Sequence, residues 1–259
     1  MEDGPTKDRF VGVYNDDGAS SWCVDCTCNM LTRRSYTPVR LTAEDILSGE
    51  LSRDFVGIVF PGGRDSPYHD KLQGPGNRLV RHFVERGGWY LGLCAGGYYG
   101  SAHIIFGKGD PNLEIEASRE LAFFPGTAVG PRYPGYEYSD NSGERVVSVS
   151  RPDQGKERRV YFNGGCYFSP AKSEGLKCAG TTLWEYVGPS DMAPAVVGCC
   201  VGQGRVVLSG VHPEVGHEDL GSSSHSEDVI REMELRDSDR LEVLEDMFVF
   251  LESVTVHGS

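Results

Sequence analysis

Apolar and polar positions follow a strand–helix rhythm through the first hundred residues. Apolar runs at Val11–Tyr14, Phe55–Phe60 and Trp89–Leu93 predict strands, and Phe55–Phe60 is apolar throughout, as a strand covered on both faces is. Between these runs, apolar residues recur at helical spacing from about Ser20 and again after Gly76. Strands that alternate with helices predict a mainly parallel central sheet flanked by helices, which is an α/β fold.

The sequence indicates the ends of one predicted helix and the apolar face of another. Thr42 is a predicted N-cap for a short helix that ends at Gly49. The helix that begins near Ser20 places four side chains on one face, namely Trp22, Cys23, Cys26 and Met30.

The pattern changes between about residues 103 and 195. The helical period disappears, and strand-like segments occur at Val146–Val149, Arg159–Phe162 and Leu183–Val187. Aromatic residues persist throughout, so we interpret this region as an antiparallel β elaboration rather than a linker. We therefore expect residues 1–259 to form a single domain.

The last part of the chain predicts a hairpin and a helix. Apolar strands at Ala195–Val201 and Val206–Gly210 are joined by Gly202-Gln203-Gly204. After a serine-rich loop, residues 238–254 predict a helix whose apolar face carries Leu241, Leu244, Phe248 and Leu251.

Composition and charge exclude several classes of function. The 259 residues carry a net charge of −13, which repels phosphate backbones and argues against nucleic-acid binding. The N-terminus has no apolar core of a signal peptide, and no apolar run approaches the ~20 residues needed to cross a bilayer. We expect a cytoplasmic protein that does not enter membranes.

The eight cysteines are expected to be free thiols, because no export sequence accompanies them. The spacing Cys23-x-x-Cys26-x-Cys28 resembles a metal site, but Cys28 points away from the shared helix face and no matching His/Cys pair lies nearby. We interpret these cysteines as packing residues and expect neither a metal nor a cofactor.

One cysteine stands in a different setting. Gly92-Leu93-Cys94-Ala95-Gly96 follows a predicted strand and precedes a helix, which is the pattern of a nucleophile elbow. The glycines allow a tight turn, and the amides of the following helix favour a thiolate. A buried cysteine on a glycine-rich turn is the alternative interpretation.

A base and its partner occur at the end of another predicted strand. His212 and Glu214 are two residues apart, so in an extended strand their side chains leave on the same face. Glu214 can then bind one ring nitrogen of His212 while the other faces a thiol. The carboxyl ends of strands are where ligands gather in open α/β sheets.

The Pro61-Gly62-Gly63 turn ends a strand at the same predicted edge. The amides of Gly62 and Gly63, together with that of Ala95, are candidates for an oxyanion hole. A plain turn remains the alternative.

The elbow GLCAGG, the PGG turn and the HPE strand end resemble the class I glutamine amidotransferase domain, whose triad is Cys-His-Glu. The segments VGVYNDDGAS, IVFPGGRD, GLCAGGYYGS, VYFNGGCYF and GRVVLSGVHPE resemble the N-terminal amidotransferase-like domain of eukaryotic biotin–protein ligases, which also occurs as a free-standing protein. The resemblance implies a flavodoxin-like, class I glutamine amidotransferase-like fold. It also implies that Cys94 is the nucleophile, His212 the base and Glu214 its partner.

The same resemblance implies further site residues and shows two departures. By the family pattern Asn163 borders the pocket and donates to a bound carbonyl, although a strand-ending turn is the alternative. Tyr98 lines the pocket or packs the helix. The first departure is Gly97-Tyr98, which stand where glutamine amidotransferases have a His-Gln-type pair, so the resemblance does not favour glutamine as the substrate. The second is that the sequence has no G-R-G-R-x-x-R adenylation loop of a ligase.

The sequence leaves two functions open. The first is a thiol-dependent amidase or amidotransferase-like hydrolase that acts on a small amide through Cys94, His212 and Glu214. The second is a non-catalytic metabolite-binding or regulatory module with a pseudo-active site, linked to a biotin-handling protein partner. Cysteine peptidase and chaperone relatives of this fold have histidine directly after the nucleophile, where this chain has Ala95. A homo-oligomer is also left open.

Overall fold

The computed structural model describes residues 9–51, 54–171, 180–188 and 192–253. Within these ranges the chain forms two sheets with helices packed against them. The expectation of a single domain over residues 1–259 stays a prediction.

The first hundred residues alternate between strands and helices, as their hydrophobic pattern predicts. The elements are β1 (Phe10–Tyr14), α1 (Ser21–Arg33), β2 (Thr37–Leu41), α2 (Ala43–Ser48), β3 (Phe55–Phe60), α3 (Asp65–Leu72), α4 (Pro75–Glu85), β4 (Trp89–Leu93) and α5 (Ala95–Tyr99). The predicted ends of α2 are confirmed, because the Thr42 side chain accepts a hydrogen bond from the Asp45 amide and Gly49 has a φ of 90°.

The second part of the chain is mainly β structure up to its final helix. Its elements are β5 (Ser101–Phe106), β6 (Ile115–Ser118), β7 (Phe124–Gly130), β8 (Arg145–Ser150), β9 (Glu157–Phe162), β10 (Tyr167–Pro170), β11 (Thr181–Tyr186), β12 (Pro194–Val201), β13 (Gly204–Ser209) and α6 (Glu227–Leu251). The predicted hairpin is confirmed, since β12 and β13 pair antiparallel across the Gly202 turn.

The larger sheet has nine strands in the order β2-β1-β3-β4-β13-β12-β11-β8-β9. Neighbours from β2 to β13 are parallel, and neighbours from β13 to β9 are antiparallel. A second sheet, β10-β7-β5-β6, includes one parallel pair, β5 with β7. The β elaboration is therefore present but not wholly antiparallel, and part of it extends the central sheet.

The parallel strands are buried on both faces by two separate apolar cores. Ile58, Phe60 and Tyr90 belong to the core that includes residues of α2, α3, α4 and α5. Val59 and Leu91 belong to the core that includes residues of α1 and α6. Because side chains alternate along a strand, these two cores cover opposite faces of the sheet.

Helix α6 differs from its prediction in both its start and its apolar face. It begins at Glu227 rather than near residue 238, and the predicted start lies just after a kink at Arg236 (φ −128°, ψ 19°). Leu241 is 48% exposed, and the buried side chains of this segment include Val243, Leu244, Met247, Phe248 and Leu251. Although α6 has 25 residues, no helix in the described ranges is long and apolar enough to cross a membrane.

Candidate active site

Cys94 occupies the turn between β4 and α5 that the glycines predict. Its φ of 50° lies in the left-handed region that residues other than glycine rarely adopt. Its amide donates to the Ser209 carbonyl at 2.8 Å, and its carbonyl accepts from the amides of Gly97 and Tyr98 at 2.8 and 3.0 Å. These backbone bonds hold the strained residue and place its side chain at the carboxyl end of β4.

The glycines around this cysteine are required by close backbone contacts. A Cβ at Gly92 would lie 2.3 Å from the Gly96 carbonyl oxygen, and one at Gly96 would lie 2.0 Å from the Phe60 carbonyl oxygen. A Cβ at Gly97 would lie 2.9 Å from the Ser209 carbonyl oxygen. Side chains at these positions would push the elbow away from β3 and β13, so the glycines permit the nucleophile's position.

His212 reaches the same edge of the sheet because β13 lies directly beside β4. The two strands are parallel, and Leu93 pairs with Ser209 at their carboxyl ends. The His212 amide then donates to the Tyr161 carbonyl at 2.9 Å, which ties the segment after β13 to the end of β9.

Glu214 binds the His212 ring, although not through the extended geometry that the sequence predicts. His212 Nδ1 lies 2.8 Å from Glu214 Oε1, and both side chains are almost fully buried. The backbone turns here, because the Val215 amide donates back to the His212 carbonyl at 3.2 Å. The predicted pairing is therefore present, but a turn at Pro213-Glu214 and not an extended strand produces it.

The His212 ring also contacts the Cys94 side chain. Burial lowers the pKa of His212, but the Glu214 carboxylate and a hydrogen bond with Cys94 raise it, and the net pKa is well above the ordinary histidine value. The Cys94 Sγ also lies 3.6 Å from the Asn163 carbonyl oxygen, to which the thiol donates. Thus a sulfur, an imidazole and a carboxylate lie close together at one edge of the sheet.

The turn at Gly62-Gly63 brings backbone amides to this edge. Among the described residues, no backbone carbonyl accepts a hydrogen bond from the amides of Gly62, Gly63 or Ala95. Gly63 has a φ of 145°, and a Cβ there would lie 2.0 Å from the Gly18 carbonyl oxygen. The turn therefore needs glycine, and its amides have the bonding capacity that an oxyanion hole requires.

Cys94 and His212 line a cavity of about 550 Å³. Aromatic and polar side chains form its walls, including Trp22, Tyr136, Tyr138, Tyr161, Arg64, Asn141 and Asn163. A larger cavity of about 800 Å³ surrounds Trp89 at the opposite, amino-terminal ends of the strands. We assign the functional site to the smaller cavity, because it contains the nucleophile-type cysteine and lies where open α/β sheets bind ligands.

Two other predicted site residues differ in their placement. Asn163 lines the cavity, but its Nδ2 already donates to Asn141 Oδ1 at 3.3 Å. Tyr98 is buried and is absent from the cavity lining, since its hydroxyl donates to the Gly164 carbonyl at 3.1 Å and its ring packs on Phe106. Of the two interpretations of Tyr98, this geometry favours packing.

The cysteines near the N-terminus do not share one site. Cys23 lines the cavity, Cys26 is buried in a small cluster with Tyr161 and Val215, and Cys28 is partly exposed. The seven described cysteines are free thiols, and Cys178 lies outside the described residues. Within the described ranges, one cluster has metal-ligand spacing, the surface group of His217, Glu218 and Asp237, and Arg240 pairs with two of its carboxylates.

Sequence reasoning missed Cys23 and the aromatic walls of the cavity. The sequence predicts a packing role for Cys23, from its helical spacing and the lack of a matching His/Cys pair nearby. The segments after β1, β3, β4 and β13 all leave the same edge of a parallel sheet, so this topology could have placed Trp22 and Cys23 beside the elbow.

Family comparison identifies the class of protein over nearly the whole chain. The family described as "Biotin-protein ligase, N terminal" matches residues 10–257. The chain belongs to this family. A biotin–protein ligase from Schizosaccharomyces pombe is 34% identical over 214 residues, which cover 80% of this chain and 34% of the ligase. An uncharacterized protein from Chlamydia muridarum is 33% identical over 208 residues, which cover 78% of this chain and 79% of that protein.

Solved structures with low sequence identity share the fold. A chain in the structure of PurLQS from Thermotoga maritima superposes with a TM-score of 0.55 at 15% identity, covering 92% of this chain and 99% of that one. A ThuA-like protein from Bacteroides uniformis superposes with a TM-score of 0.51 at 11% identity, covering 97% and 94%. The fold is the class I glutamine amidotransferase-like α/β fold that the motifs imply.

Proposed function

We propose that this member of the biotin–protein ligase N-terminal family is a thiol-dependent amidase or amidotransferase-like hydrolase for a small amide. The Cys94 sulfur attacks the amide carbonyl carbon, and the backbone amides of Gly62, Gly63 and Ala95 donate hydrogen bonds to the developing oxyanion. His212 gives its proton to the leaving amine as the C–N bond breaks. Water attacks the thioester, His212 takes its proton, and the acid is released from Cys94.

The observation that carries this proposal is the position of His212 between Cys94 and Glu214. The carboxylate at 2.8 Å holds the ring and stabilises its protonated form in a buried site. An imidazolium beside a sulfur favours the thiolate, which is the reactive form of cysteine. General acid–base catalysis by such a histidine contributes about 10²–10⁴-fold to a rate.

The elbow supports a substrate other than glutamine. A Cβ at Gly97 would approach the Ser209 carbonyl oxygen to 2.9 Å, so this position has no room for the histidine of a glutamine-holding pair. The aromatic cavity walls suit a flat or apolar acyl group. Because the family includes a biotin–protein ligase, amides of biotin are the first compounds to test.

The test is amine release from a panel of small amides that includes glutamine and biotin amides. We expect the wild type and a Cys200→Ser control, which alters an exposed thiol, to release the amine from at least one compound. Cys94→Ser should lose this activity and should not form the acyl-thioester that mass spectrometry detects in the wild type. Retention of activity by Cys94→Ser would overturn the proposal.

A binding function is the second candidate, and the length of the ligase relative favours it. This chain spans about a third of that ligase, where the matching segment accompanies a much longer remainder. A domain of this kind can bind a metabolite or a biotin-handling partner without turnover. A compound that raises the unfolding temperature of the wild type and is recovered unchanged would support binding instead of catalysis.

A further inference from the structure

Two thiols, not one, line the candidate active-site cavity. Cys94 stands on the elbow, and Cys23 stands in the first turn of α1. Both side chains are nearly buried, at 7% and 6% exposure, and both line the same cavity. The proposed hydrolysis uses only Cys94, so Cys23 has no role in it.

The bare backbone of Gly62 lies between Cys23 and the imidazole. A Cβ built on Gly62 would be 2.8 Å from Cys23 Sγ and 2.9 Å from His212 Cε1. The Cys23 sulfur and the edge of the ring therefore both border the space that this Cβ would occupy. Since Cys94 is a hydrogen-bond partner of the same ring, His212 lies near both thiols.

The two sulfurs differ in their surroundings. Burial outweighs the lowering effect of the His212 ring and, with the nearby Glu214 carboxylate, raises the pKa of Cys23 to about 12, so Cys23 stays a neutral thiol near neutral pH. Cys94 has the protonated His212 ring as a hydrogen-bond partner. Cys94 is therefore the sulfur that an electrophile or an oxidant attacks first.

We propose that Cys23 is the resolving partner of Cys94, and that a hydroperoxide converts the pair to a reversible disulfide. The Cys94 thiolate attacks one peroxide oxygen and the O–O bond breaks, so that Cys94 becomes a sulfenic acid. The protonated His212 gives its proton to the other oxygen, which leaves as water or an alcohol. The Cys23 sulfur then attacks the Cys94 sulfur, the S–S bond forms, and the Cys23 proton leaves with the hydroxyl group as water. The two thiols lose two electrons and the peroxide gains them.

This disulfide would block the Cys94 sulfur and prevent its irreversible oxidation to sulfinic acid. It would also close the cavity to substrate. Cys166 is another buried thiol, whose pKa is raised by burial and by the nearby Cys94, but it does not line the cavity. Cys26 lies one helical turn beyond Cys23 and is buried in a separate cluster, so it provides a matched control.

The experiment treats the full chain with hydrogen peroxide and maps its cysteines by peptide mass spectrometry. We expect a Cys23–Cys94 disulfide in the wild type and in Cys26→Ser, with full recovery of both thiols after dithiothreitol. Cys23→Ser should instead accumulate sulfinic acid at Cys94 at least several-fold faster than the wild type.

Mapping of the wild type needs no variant, so a failure of Cys23→Ser to fold does not remove the test. A disulfide from Cys94 to Cys166 or Cys26 would overturn the proposal, as would equal sulfinic acid formation at Cys94 in the wild type and Cys23→Ser. The result does not depend on amide hydrolysis, because it measures only the fate of the two sulfurs.

Discussion

The described part of the chain contains two buried histidine–glutamate pairs with similar distances between ring and carboxylate. His212 Nδ1 lies 2.8 Å from Glu214 Oε1, and His225 Nδ1 lies 2.7 Å from Glu144 Oε2. The side chains of both pairs are at least nine-tenths buried. The distance between ring and carboxylate therefore cannot show which pair performs chemistry.

The surroundings of the two pairs differ. The His212 ring contacts the Cys94 sulfur, whereas the His225 ring packs against Trp22 and Tyr161, with centroid distances of 5.1 and 6.1 Å. Glu144 also accepts from the Ser226 amide at 2.6 Å and from the Tyr161 hydroxyl at 3.2 Å. The His212–Glu214 pair thus acts on a sulfur at the cavity. The His225–Glu144 pair instead links the start of α6 to β9.

The sharpest way to separate the two pairs is to neutralise each carboxylate. Loss of a buried hydrogen bond to a charged group costs about 1.5–3 kcal/mol of folding free energy. We expect Glu214→Gln and Glu144→Gln both to lower the free energy of unfolding measured with urea. Only Glu214→Gln should also slow the alkylation of Cys94, because only that carboxylate stabilises the His212 imidazolium.

Equal slowing of Cys94 alkylation in Glu214→Gln and Glu144→Gln would contradict the comparison. In that case both pairs would act on the sulfur through the general stability of the fold. Circular dichroism of each variant checks that the measured chain is folded.

The close approach of Gly62 to His212 allows a second test. A Cβ at Gly62 would press on His212 Cε1, whereas a Cβ at Gly49 meets no atom within 4 Å and adds only backbone strain at a φ of 90°. We expect Gly62→Ala to slow Cys94 alkylation about tenfold, equivalent to ~1.4 kcal/mol. Gly49→Ala should cost about 1–2 kcal/mol of stability and leave alkylation unchanged. If Gly49→Ala slowed Cys94 alkylation and Gly62→Ala left it unchanged, this account of Gly62 would be wrong.

The raised pKa of His212 predicts how stability depends on pH. Because the folded pKa exceeds the unfolded value of about 6.5, protonated His212 adds stability that is complete below that value and is lost as pH rises through the folded pKa. We expect the difference in unfolding free energy between the wild type and His212→Gln to shrink as the pH rises above about 7. A difference that grows with pH would show that the neutral ring is the stabilised form.

The smallest expected effect lies far from both pairs. Thr42 and Asp45 form a reciprocal capping box at the start of α2. Thr42→Ala should cost about 0.5–1 kcal/mol of stability in urea denaturation. It should leave the alkylation rate of Cys94 at the wild-type value, and a change in that rate would mean that alkylation reports general stability.

The parallel half of the sheet could be predicted from the sequence because its patterns are local. Phe55–Phe60 and Trp89–Leu93 are short apolar runs with glycine at their ends, and the structure places strands at these same bounds. The sequence pattern does not predict β5 or β7. In β7, Pro125, two glycines and an alanine weaken the strand pattern. Their pairing also joins segments about twenty residues apart, which no local pattern shows.

The candidate site could be predicted only in part. The glycines beside Cys94 and the His212–Glu214 spacing are local patterns, and they identified the side chains that meet. The extended geometry expected for His212 and Glu214 was wrong, because a turn after β13 satisfies backbone groups that a strand would leave unpaired. Cys23 and Tyr161 come from α1 and β9, and only the three-dimensional path of the chain brings them to the elbow.

The account depends most on the claim that His212 activates Cys94, and the alkylation rate of this thiol measures that directly. With iodoacetamide at neutral pH and peptide mass spectrometry, Cys94 should react faster than the exposed Cys200. His212→Gln should slow Cys94 at least about tenfold, and His225→Gln should not change its rate. Labelling of Cys94 at the rate of Cys200, or a rate that His212→Gln leaves unchanged, would contradict the account.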